Sequence, residues 1–382
     1  MASEWPACKL DELGFVGRGK SKHRPRDEPS LYGGKYPFFQ TGDIKAANYH
    51  LTEYSQTYSQ KGLAQSKLWQ PGTLCITIAA NIAETAILGV PGCFPDSVVG
   101  FVADPQKADV RFVKYFIDTI KLQMQSVSRG TTQDNLSVDK LLTFNFRVPC
   151  LSVQRRIANI LSAYDELIVN NQQRIRMLDS MVRAFFVSAI PKSSKVKKLG
   201  DIAENVRRNV QKGQLDDPKP YVGLEHIPRR SLALDSWEME SDLGSNKLEF
   251  KKGEILFGKI RPYFHKVSIA PFEGLCSADT IVIRAREPEY FPFVAACVSS
   301  DTFVAHASAT ANGAKMPRAN WDVLKKYNVP IPKGENAKRF SALFAAIVAQ
   351  QQALIFQIKN LRQTRDLLMP RLLSGQLEIN VT

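Results

Sequence analysis

IANILSAYDELIVNNQQRIRMLDSMVRAFF, residues 157–186, decides the fold. Its apolar positions Ile157, Leu161, Tyr164, Ile168, Ile175, Leu178, Val182 and Phe185, with Asn171 completing the run, recur at steps of four and three. That spacing is a helical seam made to face another helix. The stretch FSALFAAIVAQQQALIFQIKNLRQTRDLLM, residues 340–369, repeats the pattern at a shift of 183, through Phe340, Phe344, Ile347, Gln351, Leu354, Ile358, Leu361, Arg365 and Leu368. Pro191 and Pro370 are expected to end the two helices. Each would hold about 35 residues and span roughly 50 Å at 1.5 Å per residue. A long helix with one apolar stripe cannot bury it alone, so the two should pack on each other, antiparallel if a pseudo-twofold axis relates the units. Asn171 and Gln351 lie on the seam, either to fix register or to face solvent.

The same shift extends upstream. Pro37, Ile44, Asp96, Gly130, Asp139, Leu141 and Pro149 meet Pro220, Ile227, Asp279, Gly313, Asp322, Leu324 and Pro332. Residues 9–14 resemble 198–203 at a shift of 189, so a six-residue difference lies early in each unit. One shift persisting through strands, a glycine turn and a helix marks a duplicated unit. Strands are expected at Leu74–Ile78, Val98–Val102, Glu254–Phe257 and Thr280–Ile283, and helices at Val110–Gln125 and Tyr290–Val304. The fold class is α+β: two pseudo-repeated mixed α/β recognition domains joined by two long antiparallel coiled-coil helices. The expected division is a first domain over 1–150, a helix over 151–191, a second domain over 192–333 and a second helix over 334–375.

The chain carries 51 Lys and Arg against 37 Asp and Glu, a net charge of +14 shared by both halves. The excess suits a polyanion. The six cysteines are scattered without zinc or redox spacing, and the five histidines have no metal-ligand spacing. No secretory leader is legible at the N-terminus, and polar residues break the apolar stretch from Leu74 to Phe94. A cytoplasmic protein without a membrane partner is expected.

Residues 14–21 match the phosphate-loop pattern G-x-x-x-x-G-K-[ST]. No core strand precedes them, and Lys22-His23-Arg24-Pro25-Arg26 follows, which cannot open an amphipathic helix. The same segment alternates cations, Arg18, Lys20, Lys22, Arg24 and Arg26, which an extended chain would turn to one side. Such an edge fits phosphates, with arginine also able to fork onto guanine; the alternative is a solvated basic loop. The second unit offers Arg207, Arg208, Arg229 and the Lys259-Ile260-Arg261-Pro262-Tyr263 run, a cation pair beside an aromatic ring. Two polar loops occupy equivalent places, one with Arg129, Thr131, Thr132, Gln133 and Asn135, the other with Lys315, Arg318 and Asn320. Their side-chain types can read base edges. Catalytic signatures are missing: there is no G-x-S-x-G, no Pro-Pro dipeptide of a base-gripping methyltransferase loop, and Glu249-Phe250-Lys251 has no convincing upstream Pro-Asp partner for a nuclease motif.

Several phrases, in this order, resemble the specificity subunit of type I restriction–modification systems. They are Tyr36-Pro37-Phe38-Phe39-Gln40-Thr41-Gly42-Asp43-Ile44, the Gly-Thr-Thr-Gln loop at 130–133, Val148-Pro149 and Ile331-Pro332 before the helices, Gln154-Arg155-Arg156-Ile157, and Leu367 through Gly375. The second unit departs at Gly313-Ala314-Lys315-Met316 and at its helix start. The resemblance implies a non-catalytic chain whose two domains each read half of a bipartite, asymmetric DNA target, with Gln40 and Thr41 among the reading residues. It implies helices that set the spacing and dock two modification (methyltransferase) subunits, with motor–nuclease restriction subunits joining them. S-adenosylmethionine, ATP and magnesium would belong to those partners and none to this chain. A stand-alone DNA-binding regulator and a nucleotide-dependent enzyme using Gly14–Ser21 are the competing readings.

Overall fold

The computed structural model describes residues 5–23, 25–47, 49–128, 136–190, 195–213, 215 and 217–377. The chain forms two compact units, Met1–Val169 with Leu361–Thr382, and Asn170–Asn360. Each takes one globule and a part of both long helices, so the division falls within the helices.

Unit 1 contains Ala7–Cys8 (β1), Gly14–Arg18 (β2), Tyr32–Phe38 (β3), Thr41–Ala46 (α1), His50–Leu51 (β4), Gln56–Tyr58 (β5), Gln60–Ala64 (α2), Leu74–Thr77 (β6), Thr85–Leu88 (β7), Val98–Ala103 (β8), Val110–Thr119 (α3), Lys121–Ser128 (α4), Val138–Leu141 (α5) and Phe146–Arg147 (β9). A five-stranded sheet runs β2-β8-β6-β7-β4, antiparallel except where β4 meets β7. Its central strands are buried on both faces and read as continuous apolar runs. The expected helix over 110–125 breaks at Ile120 into α3 and α4. Phe112, Val113 and Ile117 of α3 pack on one face of the sheet together with Ile157 and Leu161, which open the first long helix, Leu151–Ala189 (α6).

Unit 2 contains Lys195–Lys198 (β10), Leu199–Ile202 (α7), Ala203–Asn205 (β11), Arg208–Val210 (β12), Lys219–Val222 (β13), Glu238–Glu240 (β14), Lys247–Phe250 (β15), Ile255–Gly258 (β16), Val267–Ile269 (β17), Gly274–Ser277 (β18), Thr280–Ala285 (β19), Phe291–Val298 (α8), Asp301–Ala309 (α9), Trp321–Leu324 (α10), Asn328–Ile331 (β20) and the second long helix, Gly334–Leu373 (α11). The order β11-β19-β16-β17 repeats β2-β8-β6-β7. Even the register agrees: Gly14 faces Ala103, and Ala203 faces Ala285. Phe293 and Val294 fill the place of Phe112 and Val113, and Phe340 and Phe344 that of Ile157 and Leu161. A second sheet, β12-β15-β18-β13-β14, is fuller than its unit 1 counterpart, where among the described residues the β3–β5 hairpin alone is regular.

In unit 2 the helices run antiparallel. Phe186 meets Phe340, Asp179 meets Gln351 and Asn171 meets Gln357, so one number falls as the other rises. Ile157, Leu161, Ile168, Ile175, Phe344, Ile347, Leu354 and Ile358 are buried, while Leu178 and Leu361 sit half-buried at the margin. Four sequence expectations need correcting. Phe185 is 42% exposed and Phe186 takes its place. Tyr164 is displaced by Asp165, and Leu178 by Asp179. Both carboxylates are paired, which is how a charge occupies a seam. Pro370 lies inside α11 rather than at its end. It forgoes one late backbone bond, and burial of Leu372 and Leu373 in the unit 1 core holds the final turn.

In unit 1, Asp165 accepts from Tyr115 Oη at 2.5 Å and from the Arg365 guanidinium. In unit 2, Asp179 accepts from Gln351 Nε2 at 2.8 Å and from Leu232 N–H at 3.0 Å. Gln351 thus fixes register instead of facing solvent. Burial is the main influence on Asp179 and raises its pKa, against hydrogen bonds from Ser231, Leu232 and Gln351 and the nearby Arg183 charge. A carboxyl raised in the folded state stabilises most below its unfolded value, near 3.8, and loses that contribution as pH rises through the folded value. Asp179→Asn keeps the accepting oxygen without the charge. Melts between pH 4 and 7 should therefore show equal or higher stability at pH 7 and a flatter pH dependence. Asp179→Leu should cost about 1–3 kcal/mol by stranding the Leu232 N–H. A clear loss of stability at pH 7 in Asp179→Asn would contradict this account.

Candidate nucleic-acid interface

The Gly14–Ser21 segment is an edge strand and its extension. Gly19 N–H donates to Val98 O at 2.8 Å, and Lys20 N–H to Phe94 O at 3.1 Å. A Cβ on Gly14 would lie 2.2 Å from the Val102 carbonyl, and one on Gly19 the same distance from that of Pro95. The two glycines of the phosphate-loop pattern thus allow strands to approach closely. Among the described residues no helix follows them, and the next element is a short 3-10 turn at Pro29–Leu31.

The alternation of cations holds over the first three. Arg18, Lys20 and Lys22 are exposed, while Gly19 and Ser21 between them are buried. Arg24 lies outside the described residues. Arg26 leaves the alternation and is gripped by the Asp96 carboxylate at 3.0 and 3.1 Å, and the Asp96 carbonyl accepts from Arg18 Nε. Lys67, which sequence reading missed, stands 3.6 Å from the Trp69 ring centre and 4.5 Å from that of Phe15. Burial and the neighbouring Lys20 charge lower its pKa. The cue was present: Lys67-Leu68-Trp69 sets a cation beside an aromatic, as the Lys259–Tyr263 run does.

Unit 2 gathers its cations at the equivalent place. Asp279, which stands one position closer to its strand than Asp96 does, lies 3.8 Å from Lys259 Nζ and 3.6 Å from Arg318 Nε. The polar loop is stitched to the Lys259 run: Arg261 N–H donates to Pro317 O at 2.7 Å, Ala319 N–H to Lys259 O at 2.8 Å, and Asn312 and Arg318 bridge each other. Lys259, Arg261, Tyr263, Lys315 and Arg318 therefore form one neighbourhood, in which Lys315 and Tyr263 are exposed. Unit 1 shows the same stitch where described, Leu136 N–H to Ile78 O at 2.9 Å. Its loop residues Arg129, Thr131, Thr132, Gln133 and Asn135 lie outside the described residues. The strand connection beside the unit 2 loop carries non-glycine residues at positive φ, Arg261 and His265, and the β6–β7 connection of unit 1 carries Ala80 and Ala83. Such backbone strain collects at functional loops.

Other expected contacts fall elsewhere. Arg208 is tied to the buried Glu254. Asn320 caps α10, accepting from Asp322 N–H at 2.9 Å. Arg229 lies over the Phe264 ring at 4.3 Å, and Arg207 is exposed. Gln40 is exposed just before α1, and Thr41 opens that helix. Among the described residues, no group of His, Cys, Asp or Glu is placed to hold a metal ion.

The model of the type I restriction modification DNA specificity domain matches twice, over residues 2–179 and 191–360. The chain belongs to that family. It is 22% identical to the type I restriction enzyme EcoDI specificity subunit of Escherichia coli, over 94% of this chain and 86% of that one. It is also 22% identical to the MjaIX specificity subunit of Methanocaldococcus jannaschii, over 98% and 94%. The S subunit of a type I restriction–modification system from M. genitalium shares the fold, with a TM-score of 0.58, 14% identity and coverage of 99% and 97%. The duplicated specificity domain thus coincides with the duplication read from the helices.

For a specificity-family chain bound to DNA, the cations divide into two kinds. Lys20→Ala with Lys22→Ala should lower the slope of log K against log salt by roughly 0.9 for each phosphate no longer neutralised, while leaving stability unchanged. Arg208→Ala should leave the slope unchanged and cost about 2–3 kcal/mol in a denaturant melt, since Glu254 is then left buried without its partner. The opposite pattern would reverse the two assignments.

Proposed function

We infer that this chain recognises DNA sequence for a type I restriction–modification complex without catalysing a step itself, each unit reading one half of a bipartite target. One observation carries the reading: Asp96 and Asp279, one register position apart just ahead of the corresponding strands β8 and β19, each hold cations at the same end of two duplicated sheets. Phosphate contacts from the exposed cations beside them, Lys20 and Lys22 in unit 1 and Lys315 in unit 2, give affinity, and neighbouring polar loops supply sequence choice. The loops diverge, Gly130-Thr131-Thr132-Gln133 against Gly313-Ala314-Lys315-Met316, so the halves of the target differ. In this reading the segments 1–150 and 192–333 read DNA, and the helices over 151–191 and 334–375 set the spacing. Half-sites read from one face of the duplex lie about 34 Å apart. The chain works in the cytoplasm, where the DNA is.

The helices also dock two modification subunits, which supply S-adenosylmethionine chemistry; restriction subunits supply ATP- and magnesium-dependent cutting. Met177, Met181 and Phe185 support this. They recur at four-residue steps on α6 and are 61%, 40% and 42% exposed, an apolar row that a partner helix would cover. By length and composition α11 alone among the described helices could cross a membrane. Its Phe340, Phe344, Ile347, Leu354 and Ile358 are instead buried within the protein.

Co-expression with cognate modification subunits, followed by sequencing of methylated bases, tests the whole reading. The expected product is methylation within an asymmetric, divided motif; an undivided motif, or none, would refute it. Met177→Lys with Met181→Lys should leave the melting temperature unchanged and abolish co-elution with the modification subunits. Leu354→Asp, which buries an unpaired charge, should lower both.

A further inference from the structure

Unit 1 has an open cleft of about 440 Å³ beside its cationic strand, lined by Arg26, Asp27, Tyr32, Phe38, Gln40 and Gln56 among others. Gln40 Nε2 donates to Gln56 Oε1 at 2.7 Å, and both side chains are exposed. Phe38 and the half-buried Tyr32 provide an apolar wall, with Tyr58 stacked on Phe38 at 4.0 Å. The cleft is poorly suited to a phosphate. Arg26 is already held by Asp96, and Asp27 adds a negative charge. It is well suited to a base edge. The Gln40–Gln56 bond uses one donor and one lone pair, leaving both amides able to donate and accept. Paired donor and acceptor groups match N7 and N6 of adenine, and an apolar wall matches the thymine methyl group.

The duplicated hairpin sharpens the point. Tyr36, Pro37 and Phe38 of β3 face Tyr58, Thr57 and Gln56 of β5; Lys219, Pro220 and Tyr221 of β13 face Glu240, Met239 and Glu238 of β14. The register is the same, so Glu238 stands where Gln56 does. Asp43 accepts from Gln40 N–H at 2.8 Å, and His226 Nδ1 accepts from Gly223 N–H at 2.9 Å at the matching turn. His226 Nε2 then lies 3.4 Å from Glu238. One framework thus presents an amide pair in unit 1 and an imidazole–carboxylate pair in unit 2.

We propose that this hairpin position determines specificity in each unit, with Gln40 and Gln56 reading an adenine–thymine pair and Glu238, which only accepts when ionised, reading a base with an exocyclic amino group, cytosine. This rests on the DNA-reading function inferred above.

The test uses the full chain in complex with its modification subunits and sequences methylated DNA, followed by binding to duplexes altered one pair at a time. Gln40→Ala with Gln56→Ala should relax one A·T position in one half of the motif, on the order of tenfold to a hundredfold in discrimination, and leave the other half intact. Glu238→Gln should relax one position in the other half only. Gln56→Met, close in shape, serves if the double variant folds poorly. An unchanged motif, or affinity lost equally for every sequence, would overturn the proposal. A wild-type complex that methylates no divided motif would instead overturn the parent reading.

Discussion

Each long helix begins inside the core of the globule that precedes it. Ile157 and Leu161 pack with Phe112 and Val113 behind the first sheet, and Phe340 and Phe344 pack with Phe293 and Val294 behind the second. Core side chains held at crystal-like density cannot slide without opening voids. The orientation of each helix relative to its own sheet is therefore set within its first turns, and with it the position of the cationic strand ends on that sheet. Everything else in a unit is arranged around that junction. Strands β6 and β8, or β16 and β19, form the buried middle, with the edge strand beside them, and in unit 2 the polar loop is held at their ends.

The surface that faces away from this core is organised by charge. A bare cluster of lysines and arginines would repel itself, and a fixed carboxylate at the strand start relieves that repulsion without cancelling it. Asp96 and Asp279 do this just ahead of the corresponding strands β8 and β19, one register position apart. The loops beside them keep strained, non-glycine turns, each costing of order 1–3 kcal/mol, which the apolar sheet beneath can bear.

Much of this was legible in the sequence. The alternating four-and-three spacing located both helices, and the single shift of 183 located the duplication. Phe112-Val113 and Phe293-Val294 lie inside the expected helical runs. The phase of the seam was not legible at two turns, because counting apolar residues cannot foresee a carboxylate that is buried with partners. Asp165 depends on Tyr115 and Arg365, residues 50 and 200 positions away. Pro370 misled for a related reason: the burial of Leu372 and Leu373 that outweighs a missing backbone bond is tertiary. At the interface, the alternating cations showed the strand edge. The knitting of Lys259 to the 312–320 loop, and the diversion of Arg208 and Asn320 to Glu254 and α10, required the folded chain.

The Asp165 pairing also bears on how the duplicated halves have aged. At the shift of 183, the places of Asp165 and Arg365 are taken by Val348 and Val182, one partly and one fully buried in the unit 2 core. A chain built from two copies of the first half would confront the buried carboxylate with a valine, and two copies of the second would do the same to the arginine. Either leaves a charge without its counter-ion, a penalty of several kcal/mol. The two halves are no longer interchangeable parts: each has become the other's obligate complement, and recombination that shuffles reading heads must leave this pair of helices together.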